Sequence, residues 1–282
     1  MKIRPFESLE EYEACAEFQE EIWGRGFSEK VSAAILMIAN RLGGLAAGAF
    51  DDEGNLHGFV FGLTGVADDR LIHWSDMLAV RSPGRDRGLG TRLKQYQRAV
   101  LLDRGISEMR WTFDPLQGRN AHVNFAKLGI VVREYVENMY GQTDSPLHRG
   151  IGTDRLVALW LMDSPRVRDR LGEAWGPSPA MFAGLPQTLE VSEEMGMPAP
   201  GDTRLGLDEP DLLLAVPARI GPIMDKAMEL AVRWREATRE VFLHYLARGF
   251  EAREFFRGEA TSHYLLTRSE APGTHSPSEA GP

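Results

Sequence analysis

The sequence has a single cysteine, Cys15, among its 282 residues. One thiol excludes an internal disulfide and a cysteine metal cluster. Because Cys15 lies in a helical pattern, we expect it to be a small buried hydrophobic residue. Apolar runs are all shorter than a membrane span, and the N-terminus has no apolar signal region. These features predict a cytoplasmic protein with no membrane partner.

Basic residues are outnumbered, with 32 Lys and Arg against 41 Asp and Glu and a formal net charge of -9. This balance argues against nucleic acid as a partner, but it leaves room for a local anion site. No cluster has the spacing of metal ligands, so we expect no metal. No Gly-x-Ser-x-Gly elbow occurs either, so the motif of a serine nucleophile is absent. Hydrophobic residues make up 43% of the chain, which predicts a packed core.

Basic residues are locally dense in one stretch, with six of them against one acid between Arg81 and Arg98. An apolar strand ends at Val80, Pro83 and Gly84 break it, and a helix opens near Gly88. The glycines in the first helical turn let a ligand approach the bare backbone. The first N–H groups of a helix lack intrahelical partners and lie at the positive end of its dipole. The stretch therefore predicts a phosphate site.

This loop, Arg85-Asp-Arg-Gly88-Leu-Gly90, resembles the Arg/Gln-x-x-Gly-x-Gly/Ala loop of the GNAT acyltransferase family. A dinucleotide fingerprint does not fit because position 93 is Leu, and a P-loop does not fit because Gly90-Thr91 lacks the Lys. A glycine-rich turn with a solvated basic face remains the alternative. The resemblance implies a loop that binds the pyrophosphate of acetyl-CoA or another acyl-CoA co-substrate. The residues that match are Arg85, Asp86, Arg87, Gly88, Leu89, Gly90 and Thr91.

The preceding chain has the order that the resemblance requires. A strand at 2–6 precedes a helix at 9–22, which Ser8 and Glu11 start with a capping box. A second helix is capped by Ser28 and runs to about Arg41, and strands at 45–50, 56–62 and 71–80 follow. The resemblance implies an α/β (α+β) GNAT fold, with a mixed, mostly antiparallel sheet whose central strands splay apart between flanking helices.

Four segments divide the chain. Residues 1–163 form the predicted acyl-CoA-binding catalytic domain, and 164–210 form a proline- and glycine-rich connection. Residues 211–268 repeat the order strand, helix, strand, strand as a partial GNAT-like extension, with one long helix at 223–247. We expect this half-repeat to pack on a GNAT sheet near the acceptor cleft, in the same chain or across a homodimer. Residues 269–282 have the composition of a disordered tail.

In the family the acyl thioester lies between the splayed strands, so the resemblance implies pantetheine contacts from Leu78, Ala79 and Val80. Strand alternation predicts Trp74, Asp76, Leu78 and Val80 on one face. Asn124, on a helix at 118–128, is a further pantetheine candidate, and Asn120 is as well explained by the helix surface. Many family members have, four residues before the equivalent of Gly129, a Tyr that protonates the thiolate. Here that residue is Phe125, so the role is vacant or filled elsewhere.

Amine attack on a thioester is helped by a general base. Asp76 is the first candidate because it lies two residues before Leu78, and Asp114, Glu134 and Glu137 are alternatives. A solvated or ion-paired carboxylate is the alternative for each. Candidate acids are Tyr140 and His148, the second in a loop at 141–154 that is either an acceptor-site lid or a surface segment with an Asp154–Arg155 pair.

These features predict an N-acyltransferase that transfers an acyl group, acetyl first, to a primary amine of a small molecule by direct attack in a ternary complex. An amino acid is one candidate acceptor. Transfer of succinyl or another larger acyl group is an alternative, which Arg110 or Arg149 near the acyl end would favour. The other alternative is a GNAT-like module that binds acyl-CoA without turnover.

Overall fold

The computed structural model describes residues 1–27, 29–67, 69–81, 88–141, 150–172 and 182–269. Its strands are β1 Lys2–Pro5, β2 Leu45–Phe50, β3 Leu56–Ala67, β4 Arg70–Val80, β5 Glu108–Phe113, β6 Val131–Val136, β7 Arg155–Leu161, β8 Leu189–Glu194, β9 Met197–Thr203, β10 Asp211–Pro217, β11 Phe250–Phe256 and β12 Thr261–Arg268. Its helices are α1 Leu9–Trp23, α2 Ala33–Arg41, α3 Leu89–Asp103, α4 Gly118–His122, α5 Pro165–Leu171, α6 Gly221–Lys226 and α7 Met228–Ala247, and a π-helical segment, Val123–Leu128, continues α4.

Ten strands form one sheet in the order β1-β2-β3-β4-β5-β7-β6-β11-β12-β10, and β8 and β9 form a separate hairpin. Among the paired strands described, β4 and β5 run parallel and the others antiparallel. The expected mixed, mostly antiparallel sheet flanked by helices is confirmed. No helix in the described ranges combines the length and apolarity needed to cross a bilayer.

The second helix begins later than predicted. Its cap is Ser32, whose Oγ accepts from the Ile35 N–H at 3.4 Å, and not Ser28, which lies outside the described residues. The cause is Gln19 on α1, whose buried amide accepts from the Val31 N–H at 2.7 Å and donates to the Val31 carbonyl at 3.1 Å. Because these bonds hold the backbone at Val31, the helix starts only beyond it.

The C-terminal half joins the sheet of the same chain, because β11 pairs with β6 at Ala252 and Val132. One buried core spans both halves and includes Phe125 of the π-helical segment and Phe242 of α7. Two expectations are corrected here. The predicted helix at 223–247 is two helices, since Ala227 leaves helical dihedrals at φ -151° and ψ 72°. The predicted irregular connection contains the β8–β9 hairpin, which α7 contacts.

Ion pairs with low exposure tie α7 to the first half. Arg235 on α7 donates to both carboxylate oxygens of Asp114 at 2.9 Å, and Arg235 and Asp114 are 2% and 4% exposed. Arg239 donates to both oxygens of the buried Asp154 at 2.8 and 2.9 Å, and Tyr135 also donates to Asp154. Asp154 is therefore not in the surface pair with Arg155 that one interpretation of this segment predicted.

We expect Arg235→Met to lower the free energy of unfolding by about 3–5 kcal/mol, because it leaves the Asp114 charge buried without its partner. The matched control is Arg233→Met on the same helix. Arg233 pairs with Glu194 at 2.6 Å, but both side chains are more than two-fifths exposed. That loss should be much smaller, because water already solvates both charges of the exposed pair. Urea unfolding measures both, and equal losses would contradict a structural role for the buried pair.

Candidate active site

A gap separates the two parallel central strands. β4 and β5 pair only at His73 with Met109 and at Trp74 with Arg110. Beyond these residues β4 stays paired with β3 as far as Val80, and β5 stays paired with β7 as far as Phe113. The strands therefore diverge toward their carboxyl ends, which meet at one edge because the strands are parallel.

Backbone polar groups of β4 face this gap. The Arg81 N–H donates to the carbonyl of His57, near the start of β3, at 2.9 Å. Because bonding directions alternate along an antiparallel strand, the N–H and C=O of Ala79 point toward β3, and those of Leu78 and Val80 point toward β5. Of the three residues expected to contact pantetheine, two thus present their backbone to the gap.

The first turn of α3 lies beside the same gap. Gly88 is its N-cap at φ 74°, in the left-handed region that favours glycine, and no side chain caps the helix. The first intrahelical bond runs from the Arg92 N–H to the Gly88 carbonyl at 3.1 Å, so Leu89, Gly90 and Thr91 contribute first-turn N–H groups. A Cβ on Gly90 would lie 3.5 Å from a Leu78 methyl carbon. Arg85, Asp86 and Arg87 lie outside the described residues.

A β-bulge changes the predicted alternation along β4. Met77 pairs with Phe61 but Ser75 pairs with the next residue, Gly62, so Asp76 is an extra residue in β4. Leu78 and Val80 pack against α3, and Met77 and Ala79 pack in the core under α1 and α2. Before the bulge, Ser75 and His73 also face α3, because they bond to its side chains. Trp74, which alternates with them, therefore faces away from α3. The prediction that Trp74, Asp76, Leu78 and Val80 share a face is therefore wrong.

Asp76 lies at this bulge and is exposed, although the surrounding protein partly desolvates its carboxyl group. That desolvation raises the pKa of Asp76, and the negative charge of Glu29 raises it further. Glu29 belongs to the connection between α1 and α2, so Asp76 faces the α1–α2 side of the sheet. A carboxyl group with a raised pKa is suited to accept a proton near neutral pH.

Two of the other candidate bases, Asp114 and Glu137, are held in ion pairs. Asp114 is held by Arg235 and also accepts from the Leu116 N–H at 2.8 Å, which favours a structural role over that of a base. Glu137 pairs with Arg239 at 2.8 Å, and Glu134 is exposed on β6. Among the candidate bases, Asp76 has the environment that best fits the role.

Tyr140 reaches the open face of β5, where its hydroxyl lies 2.9 Å from Thr112 Oγ1. Trp111, one residue earlier, contacts Lys94 on α3, so Thr112 points to the opposite face. Tyr140 and Asp76 therefore lie on the same face of the sheet, on either side of the gap. The other acid candidate, His148, lies outside the described residues, as does Arg149.

On the α4 side, Asn124 is 3% exposed, and its amide nitrogen has no hydrogen-bond partner among the described residues. This donor fits a ligand contact. Asn120, in contrast, is exposed, as its surface interpretation expects. Phe125 is fully buried and contacts Phe113 and Tyr264 edge to face, with centroids 6.1 and 5.7 Å away.

A buried polar chain that the sequence did not predict connects β3, β4 and α3. Thr64 donates to the Gly43 carbonyl at 2.8 Å, so it accepts from His73 Nδ1 at 3.0 Å. His73 Nε2 then accepts from the Gln97 amide at 2.9 Å, Ser75 donates to Gln97 at 3.0 Å, and Lys94 donates to Ser75 at 2.7 Å. Burial, with the charges of Lys94 and Arg104, lowers the pKa of His73 to about 3.

The chain's sequence matches no family model and no curated protein. Solved structures do align with it. Aminoglycoside 6'-acetyltransferase type Ii is 18% identical, covers 58% of this chain and 99% of its own, and has a TM-score of 0.46. Naa20 from Chaetomium thermophilum, in complex with a bisubstrate analogue, is 16% identical over 61% of this chain and 93% of its own, with a TM-score of 0.47. The aminoglycoside 6'-N-acetyltransferase from Enterococcus faecium is 15% identical over 58% and 98%, with a TM-score of 0.43. At these identities and TM-scores the likenesses assign neither an activity nor a substrate to this chain.

The buried histidine gives a prediction about pH. The pKa of His73 is about 3 when folded and about 6.5 when exposed, so between these values the unfolded chain binds more protons. Its contribution to stability is therefore present above about pH 6.5 and is lost as the pH falls toward 3, by at most ~1.4 kcal/mol per pH unit. Unfolding of wild type and His73→Gln from pH 7 to pH 4 measures this. The wild type should lose more stability, and parallel losses would contradict a neutral buried His73.

Proposed function

We propose that this protein is a GNAT-type N-acyltransferase of the cytoplasm that transfers an acyl group, acetyl first, from acyl-CoA to a primary amine of a small molecule. The observation on which this depends is the gap between β4 and β5 together with the uncapped first turn of α3 beside it. A thioester on a long pantetheine arm fits such a gap, while the pyrophosphate at its other end meets the helix N-terminus.

In this proposal the acyl-CoA lies with its pyrophosphate on the N–H groups of Leu89, Gly90 and Thr91, joined by Arg85, Asp86 and Arg87. Its pantetheine arm passes along Leu78, Ala79 and Val80, and the Asn124 amide supplies a further donor. The Leu78 N–H, which faces the gap, stabilises the negative charge that develops on the thioester oxygen. The amine approaches from the face of Asp76 and Tyr140.

Asp76 is the proposed general base. It takes a proton from the attacking amine, directly or through a water molecule, and its raised pKa suits that task. Tyr140 lies across the gap on the same face, where its hydroxyl can orient the acceptor. A dicarboxylic acyl group such as succinyl would need a cation for its free carboxylate. Arg110, one candidate for that cation, donates to Glu108 at 2.6 Å, and this pairing favours acetyl over succinyl.

The buried apolar Phe125 is the one observation in favour of an acyl-CoA-binding module without turnover, because it offers no proton to a leaving thiolate. Thiol release from acetyl-CoA with a panel of primary amines separates the two functions. An enzyme gives amine-dependent release, whereas a binding module retains CoA and releases no thiol.

We expect Gly90→Glu to abolish CoA binding without unfolding the protein, because a carboxylate at the helix start repels the pyrophosphate. A Cβ at this position meets Leu78 at an ordinary contact distance of 3.5 Å, so the backbone tolerates a side chain. Gly90→Gln is the matched control for size without charge. Calorimetric titration with CoA measures both variants. Wild-type affinity in a folded Gly90→Glu protein would contradict the phosphate site.

We expect Asp76→Asn to lower the rate of acyl transfer about 10²–10⁴-fold with CoA binding intact, because the amide keeps the shape but cannot accept the proton. The reaction is followed by thiol release with the best amine of the panel. Asp52→Asn, in the exposed turn between β2 and β3, is the control and should keep the wild-type rate. An unchanged rate in Asp76→Asn across the pH range would remove Asp76 from the mechanism.

A further inference from the structure

One lysine is buried at the point where β4 and β5 separate. Lys94 on α3 donates to Ser75 Oγ of β4 at 2.7 Å, and its ammonium lies 3.9 Å from the centre of the Trp111 ring of β5. The Met109 sulfur, also on β5, is 3.8 Å away. Since the last paired residues of the two strands are Trp74 and Arg110, Lys94 Nζ bridges both strands at the vertex of the gap.

The position is unusual for a lysine, which is 7% exposed and without a carboxylate among its described contacts. Burial lowers its pKa well below the ordinary range, while the face of Trp111 attracts the cationic form. The side chains of β4 and β5 named here add no charge next to the ammonium, because His73 is neutral and Met109 and Trp111 do not titrate. Ser75 Oγ and, more weakly, the Met109 sulfur accept from two of the three ammonium protons, which leaves one donor for a ligand in the gap.

Aminolysis of a thioester expels a thiolate, which needs a proton or a nearby cation. Phe125 cannot supply either, and His73 already directs its Nδ1–H to Thr64. The hydroxyl of the acid candidate Tyr140 lies beside Thr112 Oγ1, on the face opposite α3. Tyr96, half-buried on α3, packs with the apolar cluster of Leu89 and Leu93 instead. Lys94 is the described basic side chain that lies between the strands on the α3 side.

We propose, on the basis of the function proposed above, that Lys94 protonates the sulfur of CoA as it leaves. The amine nitrogen forms a bond to the acyl carbon and loses a proton to Asp76. The carbon–sulfur bond breaks, its electron pair goes to sulfur, and the sulfur takes a proton from the Lys94 ammonium. Free thiol and amide result, and Lys94 regains its proton from water. Asp76 and Lys94 thus act from opposite faces of the sheet.

The interaction can be tested without the acceptor, by titrating the thiol of CoA bound to the whole protein and following thiolate absorbance in the ultraviolet. An ammonium within a few ångströms favours the thiolate, so the pKa of the bound thiol should lie about one to three units below that of free CoA. Lys94→Met should return it to the free value or above. Lys127→Met, which removes an exposed lysine from the π-helical segment, should leave the lowered value unchanged.

Two results would overturn the proposal. One is a bound thiol that titrates in the wild type at or above the free value, which needs no variant to be folded. The other is the same lowered value in Lys94→Met. Amine-dependent thiol release in the wild type alongside either result would leave the N-acyltransferase function standing and remove only Lys94. Failure of the wild type to bind CoA would overturn both.

A kinetic measurement tests whether Lys94 assists the departure of the thiolate. With acetyl-CoA and the best primary amine of the panel, Lys94→Met should lower the rate about 10²–10⁴-fold. With an acetyl thioester of thiophenol the loss should be much smaller, because an aryl thiolate leaves without help. A lysine that only supports the fold would lower both rates equally, and that result would contradict a role in protonating the sulfur.

Discussion

The separation of β4 from β5 is the constraint on which the site depends. Two parallel strands that stay hydrogen-bonded leave no room for a ligand, whereas these pair at two positions and then diverge. The bulge at Asp76 adds to this arrangement, because one extra residue reverses which face each later residue of β4 points to. The backbone of Leu78 thereby faces the gap, the first turn of α3 lies at its open end, and Lys94 lies at its vertex.

The C-terminal half keeps this opening inside a stable sheet. By pairing with β6, β11 continues the sheet beyond the gap, and α7 attaches to the end of β5 through the pair of Arg235 and Asp114. The buried carboxylate that follows β5 thus serves stability, while the exposed carboxyl of Asp76 remains available for chemistry. The shared core includes Trp111 and Phe113, so it holds β5 in place beyond the point where β5 separates from β4.

Most of the sheet could be predicted because its strands are apolar and bounded by glycine or proline, and the glycine spacing after β4 pointed to the phosphate site. The bulge could not, since one inserted residue leaves no trace in the hydrophobic pattern. Ser28 and Ser32 are equally good caps, and the contact of Gln19 with Val31 selects the second. The β8–β9 hairpin was missed because most of the side chains on β8 are exposed, so no alternation marks it. A buried lysine such as Lys94 is indistinguishable in sequence from the solvated cations around it.

The central claim is that acyl-CoA occupies the gap between β4 and β5 with its pyrophosphate on α3. Backbone amide hydrogen exchange with and without CoA tests it most directly. The claim predicts slower exchange at Leu78 and at Leu89, Gly90 and Thr91 when CoA is added, with β1 and β12 unaffected. Binding that protects other amides and leaves these four unchanged, or no binding, would contradict it.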